Sequence, residues 1–78
     1  MNNERRKIIG SIMDRLDPFI EEIEAVLGDE QAAFENMPEG LQQSARGEAV
    51  EAAIEALQEA RDQIEEAKNS LSTATEAA

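Results

Sequence analysis

Between Ile9 and Met37 the large apolar residues fall four and then three positions apart, in alternation: Ile9, Met13, Leu16, Ile20, Ile23, Leu27, Phe34 and Met37. Glu30 stands where the next apolar residue is due. A mean step near 3.5 residues lines one side of an α-helix, whereas a half-buried strand would alternate every second residue. A second row, Ile12, Phe19, Val26 and Ala33, recurs every seven residues beside the first. It widens the apolar stripe to about three positions per heptad, more than one neighbouring helix covers.

A helical pattern resumes after a break and follows another rule. Val50, Leu57, Ile64 and Leu71 hold one heptad position, while Ala53, Ala60, Ala67 and Ala74 hold the other. Bulky residues alternating with alanine on a seam predict a close antiparallel approach to the first helix, toward the short end of the ~8–10 Å interaxial range. Ile54 falls outside that seam and needs other cover.

The strongest breakers lie between the two patterns, in Asn36-Met37-Pro38-Glu39-Gly40. Proline removes its predecessor from helical geometry and glycine adds freedom, so the chain turns here. Leu41, Gln42 and Gln43 then suit a short helical turn started by Pro38, and Ser44 suits the cap of the second long helix. Asp17-Pro18 and Gly28-Asp29 interrupt the first helix locally, yet the heptad phase runs through both unshifted. One long helix kinked at Pro18 is expected, not two helices. The expected organisation is a single all-α domain, an antiparallel helical hairpin: helix 1 over about 4–36, a turn over about 37–43, helix 2 over about 44–72, and a tail, 73–78, that frays for want of an anchoring group.

Chain length makes the spare apolar surface a matter of stability. A 78-residue chain without cysteine or histidine has neither disulfides nor the usual zinc ligands to reinforce a small core. Ile12, Phe19, Val26 and Ile54 are therefore expected to form the core of an oligomer, a dimer or higher, in which hairpins build a helical bundle. Covering such a row is worth several kcal/mol at about 25 cal/mol per Å².

Charge narrows the partners. With 18 acidic against 7 basic residues and a formal charge of −11, the surface repels nucleic acid and anionic membrane, so direct binding to either is not expected. The lack of cysteine, of a signal peptide and of a long apolar run fits the cytoplasm. Docking on a basic protein surface, or imitation of a nucleic-acid backbone, suits this charge. Exposed acids of helix 2, namely Glu51, Glu55, Glu59 and Asp62, are the candidate partner surface.

Candidate chemistry is sparse, and no enzyme, cofactor or metal is expected. There is no Cys nucleophile and no His base. Glu21-Glu22-Ile23-Glu24 and Glu59-Ala60-Arg61-Asp62 loosely match the facing carboxylates with which helical nucleoside-triphosphate pyrophosphohydrolases hold magnesium, but such spacings are common in acidic helices. An anion site is conceivable at the start of helix 2, where Ser44, Arg46 and Gly47 place a cation beside free backbone N–H groups. The plainer reading has Ser44 capping and Arg46 bridging to Glu30 or Glu35. Glu30, a carboxylate on an apolar seam, must be paired or near water. Arg5, Arg6 and Lys7 form the one basic cluster, at the helix end where the dipole disfavours cations. An antiparallel dimer would let them join Arg46 in a shared pocket.

The stretch from Glu30 to Ala49, above all Asn36-Met37-Pro38-Glu39-Gly40-Leu41-Gln42 followed by Ser44-Ala45-Arg46-Gly47-Glu48, resembles a segment in small acidic helical proteins of bacteriophages and prophages, a group of uncharacterised function. The resemblance implies a phage setting, in which small proteins often disable host immunity by binding. The chain is then expected to be a non-enzymatic oligomeric binding protein that occludes a basic site on a host protein. Sequestration of a nucleotide immune signal is the alternative, a scaffold role in the phage particle the third reading, and a magnesium-dependent pyrophosphohydrolase the remotest.

Overall fold

The computed structural model describes residues 1–77, in the order α1 (Asn3–Glu35), α2 (Glu39–Gln42) and α3 (Ala45–Ala77). The two long helices lie antiparallel along one another and make an all-α hairpin 58 Å long, 17 Å wide and 12 Å deep.

α1 begins where the sequence supplies a cap. Asn2 has extended backbone, and its side chain accepts a hydrogen bond from the Arg5 N–H at 2.8 Å. This satisfies one of the donors left over at a helix start. The helix then runs through Pro18 and Gly28 to Glu35. Proline lacks the N–H that would serve the Asp14 carbonyl, but Pro18 and Asp14 are both exposed, so water reaches that oxygen.

The α1 seam follows the predicted heptad rule along its length. Ile20 and Leu27 are the buried hydrophobic residues, at 8% and 4% exposure. Ile9, Met13, Leu16, Ile23, Glu30, Phe34 and Met37 are half-buried on the same line.

α3 corrects the predicted seam. Its half-buried line is Val50, Ile54, Leu57, Arg61, Ile64, Lys68, Leu71 and Thr75, again in steps of four and three. The alanine row is not the partner of α1: Ala53 and Ala67 are exposed, and Ala60 and Ala74 are half-buried at the edge of the contact. Ile54 thus belongs to the seam and is not spare surface. The physical reason is stem length. Ile54, and the aliphatic stems of Arg61 and Lys68, cover more of α1 than a methyl group does, while the charged ends reach water at the rim. A Lys68 Nζ contact with Asp17 Oδ1 anchors one such end.

The helix also continues past the expected fraying point, to Ala77. Its anchor is on the other helix: Arg6 Nε donates to the Thr75 carbonyl at 3.3 Å. Thr73 and Thr75 hydroxyls also donate to the Asn69 and Ser72 carbonyls. Of the expected tail, Ala78 lies outside the described residues. Among those residues, no helix is long and apolar enough to cross a membrane.

Candidate functional site

Two contacts between α1 and α3 set the level of each residue: Asp17 with Lys68 near the middle and Arg6 with Thr75 at the open end. With Ile20 and Leu27 at heptad position a, Asp17 and Glu24 fall at e, and Glu51 and Glu65 fall at e of α3. Antiparallel helices set e beside e on one flank of the seam and g beside g on the other. The hairpin consequently has two unlike faces.

One face is acidic. Asp14, Asp17, Glu21 and Glu24 from α1 and Glu51, Glu55, Asp62 and Glu65 from α3 are all exposed on the e flank or next to it. An open groove of about 430 Å³ runs between the helices there, lined by Asp17, Ile20, Glu21, Glu65, Lys68 and Asn69. Lys68 contributes its charge to this groove but is paired with Asp17, and Arg61 Nε lies 3.2 Å from Asp62 Oδ1. The acids dominate what remains.

Of the candidate partner surface, Glu51, Glu55 and Asp62 lie on this face and Glu59 sits at its outer edge. Sequence reasoning missed the contribution of α1. The sequence pattern puts Asp17 at a local interruption of helix 1 and Glu21 and Glu24 in a loose magnesium-type spacing, and only the antiparallel register sets the three beside acids of α3. No group of three or more acidic residues among the described residues is close enough together to hold a metal ion.

The other face is apolar. Phe19 and Val26 are 55% and 50% exposed, with Ala33 exposed and Ile12 half-buried in the same row. The α3 row on that flank is Ala53, Ala60, Ala67 and Ala74. Acids appear only at its α1 margin, as Glu22 and Asp29.

Within one hairpin the candidate anion residues are not gathered into one pocket. Arg5, Arg6 and Lys7 lie at the open end of the hairpin, and Ser44, Arg46 and Gly47 at the turn end, with most of the 58 Å length between them. Arg6 is engaged with α3. An antiparallel hairpin brings the start of α1 to the carbonyl end of α3, where the dipole favours a cation, so a residue misplaced on its own helix is well placed beside the other. Arg46 is exposed and makes no ion pair with Glu30 or Glu35 among the described residues.

Ser44 caps α3: its hydroxyl donates to the Leu41 carbonyl and accepts from the Gly47 N–H at 3.4 Å. Gly47 is buried, and a Cβ there would sit 2.0 Å from the Gln42 carbonyl oxygen. That close approach of two backbones accounts for the glycine. Gln42 caps the other side of the turn, its amide donating to the Phe34 and Met37 carbonyls at 3.0 and 3.1 Å. Glu30 is half-buried and makes no ion pair among the described residues. No family model, no curated protein and no solved structure matches the chain.

Proposed function

We propose that the chain is a phage-encoded, non-enzymatic binding protein that acts as an oligomer in the host cytoplasm, occluding a basic site on a host defence protein. The observation that carries this reading is the gathering of exposed carboxylates from both helices onto one face of the hairpin. Acids spread evenly would keep a protein soluble. Concentrated on one side, they create a directional negative field that steers a basic surface into contact and fixes its orientation. The phage setting rests on the resemblance of the turn segment.

Occlusion is favoured over nucleotide capture because the cations are dispersed. A phosphate needs several donors converging on it, yet Arg6 serves Thr75, Ser44 serves the start of α3, and the two basic ends lie far apart. The experiment is a capture from host lysate with the wild-type chain and with a Glu51→Lys, Glu55→Lys, Asp62→Lys variant. A specific basic protein should be retained by the wild type, released as salt rises past ~0.3 M as screening shortens the field, and lost with the variant while helix content is unchanged. Retention of the same protein by the variant overturns the reading.

A further inference from the structure

The apolar face fits a second copy of the chain. Between the levels set by the Asp17–Lys68 and Arg6–Thr75 contacts, Phe19 of α1 falls level with α3 between Ala60 and Ala67, and Val26 between Ala53 and Ala60. From Ile12 to Val26 the face is therefore a ridge beside a trough. We propose that two copies pair through it about a two-fold axis parallel to the helices, forming a four-helix bundle in which Phe19 of each copy seats between Ala60 and Ala67 of the other and Val26 between Ala53 and Ala60. This rests on the reading that the chain acts as an oligomer and supplies its symmetry, contact residues and geometry.

Three observations converge on self-association. Rotation about that axis lays α1 of one copy over α3 of the other with levels preserved, so each ridge meets a trough. A two-fold axis across the helices would instead stack ridge on ridge and alanine on alanine, leaving one pair of helices apart and the other crowded. The apolar part of the face is also long enough for a specific interface: Ile12 to Ala33 spans about 32 Å at ~1.5 Å per residue, and with the 17 Å width it offers roughly 540 Å² per copy, on the order of 1,000 Å² in total, near the lower bound for specific complexes. Finally, its centre carries no charge, in a chain of net charge −11, so two copies meet there with the acids turned away. The assembly presents two acidic faces in opposite directions, and a host surface with repeated basic sites would be held by both at once.

Sedimentation equilibrium tests the pairing. The wild type should run at twice the 8.6 kDa chain mass. Ala53→Glu with Ala67→Glu, both at positions exposed in the hairpin, should shift it to the single-chain mass. The charge-reversed variant of the acidic face should stay dimeric, which separates failure of partner capture from failure of pairing. A monomeric wild type, or a double variant that remains dimeric, overturns the proposal.

Chemical cross-linking reads the geometry even if the double variant loses its helices. The chain has no cysteine, so Phe19→Cys chains mixed with Ala67→Cys chains and treated with a short bis-maleimide should give a covalent heterodimer, at least tenfold above either variant alone. Preferential cross-linking of Phe19→Cys to Val26→Cys chains would establish the transverse axis and overturn the parallel one.

Discussion

The turn and the shaft of this hairpin are held by different physics. At the turn, main chain meets main chain: Gly47 is packed on Gln42, the Gln42 amide serves the Phe34 and Met37 carbonyls, and Ser44 closes the start of α3. Along the shaft, two long helices touch through one line of side chains on which, among the described residues, Ile20 and Leu27 are the buried hydrophobics. The turn is specific in detail and tolerates little change. The shaft is repetitive, so its strength grows with the number of layers and each layer adds a modest amount. Direction in this molecule is set at the turn, and stability is set along the shaft.

The largest expected effect tests whether the shaft supplies stability. Leu27→Ala removes the most buried side chain and should cost about 2–5 kcal/mol, measured by urea unfolding at fixed chain concentration. A loss under ~1 kcal/mol would mean that the seam contributes far less than its burial implies. Gly47→Ala is expected next, at about 1–3 kcal/mol, because its Cβ cannot coexist with the Gln42 carbonyl unless the backbone moves. Here amide exchange should accelerate around residues 36–48 before it does in the shaft.

Gln42→Ala leaves the Phe34 carbonyl of α1 and the Met37 carbonyl of the turn without the amide that serves them and should cost about 1 kcal/mol. The comparison sharpens with Gly28→Ala, the same change as at Gly47 but in the shaft, where a Cβ meets nothing within 4 Å. It should stabilise by about 0.5–1 kcal/mol through lower chain entropy and better helix propensity. Opposite signs at Gly28 and Gly47 would confirm that the turn restricts the backbone and the shaft does not. Smallest of all, Asp17→Asn breaks the exposed ion pair while leaving the Lys68 stem on α1 and should cost under ~1 kcal/mol, shrinking further at high salt.

Local pattern carried much of the architecture. Steps of four and three from Ile9 to Met37 specify α1 and its inner side, because each large residue adds burial and none competes for the same line. Pro38 with Gly40 specifies the turn, and Ser44 the start of α3, through backbone chemistry confined to a few neighbouring residues. The exposure of Glu51, Glu55 and Asp62, and of Phe19 and Val26, was legible for the same reason.

What the sequence determined by itself, then, is two amphipathic helices, the place where the chain turns back, and an acidic exterior, all set by interactions within about one helical turn. Only the tertiary structure decided which side of α3 meets α1. There the alanine row and the row of Ile54, Arg61, Lys68 and Thr75 compete, and long stems win by covering more of the facing helix. It also decided that Gly47 serves a backbone contact, that Arg6 closes the far end of α3, and that the acids of both helices share one face. Each of these depends on the level at which two distant segments are brought side by side, and that level is a property of the packed pair.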